Sequence, residues 1–349
     1  MKESSQRVGW IDSARGWGIL MVIYAHIENW SKISAGFYCF HIPLLFFISG
    51  YLFNGEDLKP IDFLKKKIRS IALPCMALSI PVVIFQIAIA DNQWDMLKIL
   101  FPQIFLQIRT WTLWYMACLF VLNIMLYTTV KNVGIRVDRI IFVALCWLVF
   151  GGIYLHYIGV KLVWNIDVAF MAFAFFAGGY ITRITRLIEI ANEKIANLIN
   201  IKVMRDFFYI ILIGASVFLG WLSKMVYNET YYALDMYGNI YNFIPLTMLS
   251  AFLGITAIVL LCNNHTFRAA SIVGKHSVTY FAWHFSIYIP LFDSFCNNIN
   301  INLNIRARTV LLFAFIVAAS ELSYYLISKC RISWVFGIKS KWQARGGVL

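Results

Sequence analysis

Charged residues are scarce in this chain of 349 residues, because Asp, Glu, Lys and Arg together make up only 13% of it. A soluble domain has about 25% charged and about 45–50% apolar residues. Here 61% of the residues are hydrophobic and the mean hydropathy is +0.72, which excludes a soluble domain and indicates a polytopic membrane protein. None of the seven cysteines forms a C-x-x-C pair, so we interpret them as small packing residues and expect no metal.

Apolar windows of nearly 20 residues recur along the chain and predict an all-α protein with about ten transmembrane helices. Each helix satisfies its own backbone hydrogen bonds in lipid. Long apolar blocks such as 211–221 do not alternate, which argues against a membrane β-barrel. The predicted spans are about 10–30, 37–54, 71–90, 111–130, 140–156, 163–181, 207–225, 243–262, 277–295 and 308–328.

Basic residues decide the expected orientation. With both termini in the cytoplasm, the cytoplasmic side holds about three times as many Lys and Arg residues as the outer side, as the positive-inside rule requires. Topology and anionic membrane lipid then account for the net charge of +13, and no displayed basic face predicts nucleic-acid binding. The short polar N-terminus is followed by a long apolar stretch without a small-residue cleavage site, so we expect no cleavable signal.

Two predicted outer connections are unusually apolar or aromatic. Residues 91–110 carry many large apolar side chains, so we expect this segment to lie in the membrane interface or to re-enter the outer face. Residues 226–242 carry five tyrosines, which predicts either an aromatic interface belt or a rim on which sugars stack.

The first predicted span, Trp10–Trp30, contains an arginine and a histidine. Arg15 and His26 are eleven positions apart, so they share one helix face and lie about 16 Å apart along its axis. An arginine in hydrocarbon costs about 2.5–3.5 kcal/mol even on the lenient insertion scale, which makes the pair a functional candidate. Arg15 either pairs with Asp12, three positions earlier, or binds an anionic ligand that enters from the cytoplasm.

His26 lies toward the outer end of the same span, where a neutral imidazole can act as a general base. The alternative is an ordinary hydrogen-bonded histidine at a helix end. Glu28 is about 200° further around the helix and does not face His26. His41 opens the second span in the outer half, and Pro43 frees backbone carbonyls there, so we expect a polar site near His26.

Further polar positions follow along the chain. The cytoplasmic run Lys65–Arg69 either reflects membrane topology alone or forms a phosphate-binding rim. Trp114 and Tyr115 open the fourth span at the outer face. His284 lies within the ninth span, where a buried histidine is either functional or a satisfied core residue. Glu321, in the last span, is expected to pair with a polar neighbour.

Four of these segments, in this order, resemble motifs of the membrane-bound acyltransferase-3 family. The resemblance covers about Trp10 to Ser328, and it is strongest to the compact surface-polysaccharide and fucose O-acetylases, which have no extra soluble domain. The segments are Trp10-Ile11-Asp12-x-x-Arg15-Gly16 with His26, Phe40-His41-x-Pro43-Leu44-x-Phe46-Phe47-x-Ser49-Gly50-Tyr51, Leu113-Trp114-Tyr115, and Ser277-x-x-Tyr280-x-x-x-His284.

The resemblance implies ten helices in a single transmembrane domain over 1–349, with a motif-bearing core at about 10–328 and a cytoplasmic tail at about 329–349. It implies a multi-pass enzyme of the bacterial inner (cytoplasmic) membrane that modifies a surface polysaccharide. The expected activity is an O-acetyltransferase, which moves an acetyl or other short acyl group from cytoplasmic acetyl-CoA (acyl-CoA). The expected acceptor is a hydroxyl of a surface carbohydrate or of its lipid-linked precursor.

The resemblance also implies roles for residues. The family's arginine and histidine fall on Arg15 and His26, and we expect His41 beside them in the catalytic set. The family's cytoplasmic Arg-x-x-Arg element falls on Lys66-x-x-Arg69, where the lysine can meet a phosphate but lacks the bidentate fork of an arginine. Residues expected to support the acceptor or the structure are Asp12, Trp114, Tyr115, Tyr280 and His284.

These roles combine into a mechanistic hypothesis. Arg15, Lys66 and Arg69 hold the nucleotide phosphates of acyl-CoA, and the pantetheine arm spans the separation of about 16 Å to His26. His26 then takes the proton of a sugar hydroxyl as general base, or it is itself acylated. Trp114 and Tyr115 either stack on the sugar or anchor the interface.

Two other classes of protein remain as alternatives. One is a multi-pass transporter or flippase of a glycan or anionic small molecule without acyl transfer, which predicts inverted repeats and matching broken helices. We find no such repeat in the sequence. The other is a non-catalytic membrane scaffold, which predicts that acetyl-CoA neither binds nor is consumed.

Overall fold

The computed structural model describes residues 9–28, 31–227, 232–301 and 303–338. The end of the first predicted span at Asn29 and Trp30, Tyr231 of the tyrosine-rich connection, and the predicted tail from residue 339 onward lie outside the described residues. The helices are α1 (Gly9–Ile27), α2 (Lys32–Tyr38), α3 (His41–Tyr51), α4 (Pro60–Lys67), α5 (Leu73–Ala88), α6 (Gln93–Leu100), α7 (Gln103–Leu106), α8 (Trp114–Val133), α9 (Val137–Tyr157), α10 (Ile166–Ile184), α11 (Leu187–Leu198), α12 (Lys202–Tyr227), α13 (Ile244–Asn264), α14 (Arg268–Lys275), α15 (Ser277–Trp283), α16 (Ile289–Asn298) and α17 (Ile305–Lys329).

Short elements join several of these helices. Single 3₁₀ turns occur at Trp111–Leu113, Val163–Asn165 and Ser333–Phe336, and π-helical turns at Ile68–Ala72 and His284–Tyr288. The strands in the described residues are β1 (Leu234–Asp235) and β2 (Ile240–Tyr241), which pair antiparallel with Leu234 opposite Tyr241.

The predicted all-α polytopic architecture is confirmed. Eight helical segments of the described chain are long and apolar enough to cross a membrane, and each overlaps a predicted span. The two other predicted spans are also helical: the first is α1, and the ninth is α15 and α16 joined by a π-helical turn. The cytoplasmic position of both termini stays a prediction.

The described chain divides into two compact units. Unit 1 contains the described residues within 1–25, 29–52 and 178–277, and unit 2 contains those within 26–28, 53–177 and 278–349. Each unit gathers segments that are distant in sequence, so neither corresponds to one half of the chain.

Polar side chains hold the long helix pair of unit 1 together. The Ser216 hydroxyl donates to the carbonyl of Ser250, and the Ser250 hydroxyl donates to the carbonyl of Ser216. The hydroxyls of Ser223 and Thr247 are 2.7 Å apart. Small hydroxyl residues at such positions let helix backbones approach closely and satisfy one another without water, so α12 and α13 form a tight antiparallel pair.

Glycines allow two still closer approaches in unit 1. A Cβ added at Gly16 of α1 would lie 1.8 Å from the carbonyl oxygen of Ala270 in α14, and one at Gly274 would lie 1.9 Å from the carbonyl oxygen of Asp12. Each helix therefore presents a glycine to the backbone of the other. This contact explains why a glycine follows Arg15 in the first motif and why Gly274 precedes the fourth.

Unit 2 contains the segment 91–110. In and between its helices α6 and α7, the large apolar side chains Trp94, Ile99, Phe101 and Phe105 are each more than half exposed. The location of this segment in the membrane interface stays a prediction. Arg109, near the end of this segment, is only 8% exposed, because the side chains of Asn165, just before α10, and Asp167, in its first turn, bind it.

We predict that Gly16→Ala lowers the thermal unfolding temperature in detergent. The added methyl group cannot be accommodated next to the Ala270 carbonyl, and overpacking of this kind costs about 1–3 kcal/mol. Gly214→Ala is the matched control, because its Cβ meets nothing within 4 Å and alanine favours the helix. An unfolding temperature for Gly16→Ala at or above that of Gly214→Ala would contradict the close helix contact.

Candidate active site

Two histidines that are 258 positions apart form a hydrogen-bonded pair in unit 2. Nδ1 of His26, near the end of α1, lies 2.7 Å from Nε2 of His284. The rings are also nearly stacked, with centroids 4.9 Å apart and an angle of 23° between their planes. His284 is fully buried. The histidine of the first motif and the histidine of the fourth motif are therefore in direct contact.

A π-helical turn, His284–Tyr288, positions His284. Pro290 follows this turn and has no backbone N–H, so it cannot donate to the carbonyl of Ser286 four residues earlier. The side-chain amide of Gln86 donates to that carbonyl instead, at 3.0 Å. The hydroxyl of Thr112 donates to the carbonyl of Ala282 in the turn before. Side chains from neighbouring segments thus replace backbone bonds around the irregular turn, a type of local structure that is frequent at functional sites.

The hydrogen bonds of His284 define which nitrogens carry protons. Nδ1 of His284 lies 2.8 Å from the carbonyl oxygen of Tyr280, which can only accept, so this nitrogen is the donor. In neutral His284 the other nitrogen, Nε2, is then an acceptor. Nδ1 of His26 must therefore donate to it, and neutral His26 carries its lone pair on Nε2, which is the nitrogen that a general base uses.

Aromatic rings lie against the pair, and the residue that accepts from His284 also contacts a carboxylate. The ring of Phe285 lies 4.9 Å from that of His26, and Phe281 contacts both His284 and Tyr115. The hydroxyl of Tyr280 donates to Oε1 of Glu321, at 3.0 Å. Glu321 thereby has the polar neighbour that the sequence required without identifying.

The remaining predicted residues of unit 2 lie in two places. Trp114 and Tyr115 are 6% and 9% exposed and contact each other edge to face. Lys66 and Arg69 are exposed, and the ammonium group of Lys66 donates to the side chain of Asn54. The roles of these four residues stay predictions.

A neighbouring lysine was not singled out by the sequence. Lys67 is buried, with its ammonium group 5.3 Å from the ring centre of Phe53 and 5.4 Å from that of Phe63. Phe63 in turn stacks on Tyr127. Cation–π contacts on both rings stabilise the desolvated ammonium group. The basic run Lys65–Arg69 therefore contains exposed residues and one buried, structural lysine, Lys67. The position of Lys67 in the helix did not predict its burial.

Three predicted residues belong to unit 1. Asp12 is 3% exposed and Arg15 is half-buried. His41 is 4% exposed, and its Nδ1 lies 2.6 Å from the carbonyl oxygen of Phe37, one turn earlier. The ring of Tyr38 lies edge-on against it. A participation of these residues in donor binding or catalysis stays a prediction.

A buried polar cluster in unit 2 was missed by the sequence analysis. The Arg109 guanidinium donates to the Asp167 carboxylate at 2.5 Å and to the Asn165 side chain at 2.7 Å. The Asn165 amide donates to the carbonyls of Gln107 and Trp114. The sequence shows only that charged or amide residues lie near the ends of two apolar spans. Helical periodicity cannot show that Arg109 pairs with Asp167, which is 58 positions away.

Metal-ligating side chains do not cluster in the part of the chain that the structure describes: no three His, Cys, Asp or Glu side chains there are placed to hold an ion. The described residues do bring together the imidazoles of His26 and His284, and Tyr280, whose carbonyl accepts from His284, donates its hydroxyl to Glu321. Such groups suit proton transfer to and from an organic substrate.

These features define a polytopic helical membrane protein in which two partly or fully buried histidines form a hydrogen-bonded pair. A family model described as an acyltransferase domain, that of the acyltransferase-3 family, matches residues 8–325. The chain therefore belongs to the acyltransferase-3 family and is a multi-pass membrane acyltransferase, which uses an acyl donor and a hydroxyl acceptor. Comparison with curated proteins and with solved structures finds no significant match.

We predict that Asp167→Ala strongly destabilises the protein. The substitution leaves the Arg109 guanidinium buried without its carboxylate, which costs about 3–5 kcal/mol. Asp138→Ala is the matched control, because its pair with Arg136 is more than 60% exposed on both sides and exposed pairs contribute about 0–1 kcal/mol. Thermal unfolding in detergent measures both variants, and equal unfolding temperatures would refute a structural role for the buried pair.

Proposed function

We propose that this protein is an O-acetyltransferase that moves a short acyl group, acetyl in the first place, from cytoplasmic acyl-CoA to a hydroxyl of a surface carbohydrate or its lipid-linked precursor. The proposed location is the inner membrane of a bacterium. The observation that carries the proposal is the hydrogen-bonded chain from the Tyr280 carbonyl through His284 to His26. This chain leaves the His26 lone pair on Nε2, the state required to accept a proton from an alcohol.

The proposed transfer uses His26 as general base. Nε2 of His26 takes the proton of the acceptor hydroxyl while the hydroxyl oxygen attacks the thioester carbonyl. The C–O bond forms, the C–S bond breaks, and the departing thiolate of coenzyme A receives the proton from the His26 imidazolium. The products are an O-acyl ester and free coenzyme A, and His26 returns to its neutral form.

His284 acts as the positioning residue in this scheme. His284 accepts a hydrogen bond from Nδ1 of His26 and thereby fixes the tautomer and the ring orientation of His26. This hydrogen bond becomes stronger when His26 becomes positively charged. Burial of His284 keeps water from competing for the same nitrogen. The role is analogous to that of the third group in a nucleophile–base–orienter arrangement, with a neutral imidazole in the place of a carboxylate.

Donor binding is assigned to basic side chains. Arg15 lies eleven residues before His26 in helix α1. In the predicted orientation, Arg15 is nearer than His26 to the cytoplasmic end of this helix. A guanidinium group there binds a phosphate of acyl-CoA bidentately. We assign Lys66 and Arg69 to the same donor, and His41, Trp114 and Tyr115 to support of the transfer or of the acceptor.

We predict that His26→Ala abolishes transfer, with a loss of at least about 10²–10⁴-fold, the contribution of general acid–base catalysis. The measurement is release of free thiol from acetyl-CoA by purified protein with an oligosaccharide acceptor. Incubation of wild-type protein with labelled acetyl-CoA and no acceptor tests the rival route, because a stable label on His26 would replace the general base by an acyl-histidine.

His284→Phe tests the positioning role in the same assay. The ring is kept, but the acceptor nitrogen is lost, so kcat falls by about 100-fold, as for a misoriented catalytic group, whereas KM for acetyl-CoA is unchanged. His284→Gln restores part of the activity. His156→Ala is the control, because His156 is an exposed residue.

Full activity of folded His26→Ala would reject the proposed function.

We predict that Arg15→Ala weakens stabilisation of the protein by acetyl-CoA. Loss of a charge-assisted, bidentate contact to phosphate costs about 1.5–3 kcal/mol of binding, so the thermal shift at a fixed acetyl-CoA concentration falls. Arg15→Lys keeps the charge and loses the fork, and it gives an intermediate shift. A thermal shift equal to that of the wild type in Arg15→Ala would remove Arg15 from the donor site.

A further inference from the structure

The ninth span is held on both sides of His284 by hydrogen bonds to other segments of unit 2. On the N-terminal side, the hydroxyl of Thr112 donates to the carbonyl of Ala282 at 3.1 Å. The indole N–H of Trp283 donates to the carbonyl of Leu78 in α5 at 3.2 Å. Trp283 itself has φ −122° and ψ −10°, outside the range of an α-helix, so the regular helix ends just before His284.

The C-terminal side is held by Gln86, which lies in the last turn of α5. Its amide donates at 3.0 Å to the carbonyl of Ser286, the carbonyl to which Pro290 cannot donate. The N–H of Ile289 donates to the carbonyl of His284, five residues earlier, which is the hydrogen bond of a π-helix. Ser286 is 1% exposed, so the bond from Gln86 is the partner that this buried carbonyl has.

These bonds fix the rotation of His284 around the axis of the span. A π-helical turn contains one residue more than an α-helical turn, and one residue corresponds to about 100° of rotation. If the turn relaxed to a regular α-helix, the residues before it would rotate by about that angle relative to the residues after it. Compensation for Pro290 requires only the bond from Gln86. Because Thr112 and Trp283 bind on the other side of the turn, both sides are held.

We propose that Gln86 and Thr112 are positioning residues for the acyl transfer. They hold the π-helical turn at the rotation in which Nε2 of His284 accepts from Nδ1 of His26, at 2.7 Å. Since His284 fixes the tautomer of His26, the lone pair of the general base depends on hydrogen bonds made two residues away from its partner. This inference rests on the proposed function, because it assigns both residues to the transfer at His26.

Apolar side chains of similar size at the two donor positions test the effect on activity. An unsatisfied buried carbonyl disfavours its conformation by about 5–150-fold, so Gln86→Leu and Thr112→Val lower kcat by about tenfold or more. KM for acetyl-CoA is unchanged, because neither residue is assigned to donor binding. The matched controls retain the wild-type kcat: Gln93→Leu replaces an exposed glutamine, and Thr129→Val replaces a buried threonine that donates to a carbonyl of its own helix.

A second substitution identifies the atom through which Gln86 acts. Pro290→Ala restores a backbone N–H that can donate to the Ser286 carbonyl in place of Gln86. The double variant Gln86→Leu, Pro290→Ala therefore recovers most of the kcat that Gln86→Leu loses. A double variant no more active than Gln86→Leu would overturn a positioning role of Gln86 through this carbonyl.

Nitrogen-15 NMR of protein with labelled imidazoles measures the positioning without an activity assay. In the wild type, His26 has a protonated Nδ1 and an unprotonated Nε2, and the spectrum of His26→Ala identifies its resonances. In Gln86→Leu and Thr112→Val these resonances shift toward those of a mixture of tautomers, whereas both control variants keep the wild-type positions. A merely structural contribution to stability would leave the resonances of the folded variants unchanged.

Wild-type His26 resonances in both variants would overturn the proposal, whatever their kcat. If Gln86→Leu does not fold, Thr112→Val decides. A wild-type protein that transfers no acyl group would instead contradict the proposed function, and the His26 resonances would still show whether Gln86 and Thr112 position the histidine pair.

Discussion

The hydrogen bond between His26 and His284 depends on a constraint that governs the whole interior of the protein: inside a membrane, water does not satisfy a polar group. Each imidazole must therefore find a partner in the chain itself. His284 donates a hydrogen bond to a backbone carbonyl one turn away and accepts one from His26. The protonation pattern of the pair follows from the direction of the backbone, because a carbonyl only accepts.

The same constraint explains the irregular segment that carries His284. A proline in the ninth span removes one backbone donor, and Gln86 supplies a replacement to the carbonyl that is left. Arg109, Asn165 and Asp167 form an analogous closed network near the start of two other helices. In both places polar side chains form hydrogen bonds with backbone groups or with oppositely charged side chains. These bonds hold the surrounding helices in position.

Much of the architecture follows from sequence, because hydropathy and the cost of charge in lipid act locally. In the residues that the structure describes, each of the ten predicted spans contains a helix. The meeting of the motif histidines His26 and His284 in one site did not follow from the sequence. The partner of Glu321, the cage around Lys67 and the burial of Arg109 did not follow. Each depends on contacts between segments that are 40 or more positions apart or on the direction of one side chain. Periodicity reports which face of a helix is polar, but not which residue of another helix meets it.

The separation of His26 from His284 along the chain has a consequence for biosynthesis. The first helix is synthesised 258 residues before its histidine partner, a delay of roughly 13–50 s at about 5–20 residues per second. Because His284 lies in the ninth span, the hydrogen-bonded pair cannot form before that span has been synthesised. The last third of the polypeptide supplies the hydrogen-bond partner of His26. A chain truncated before His284 would contain the first motif but could not form the histidine pair.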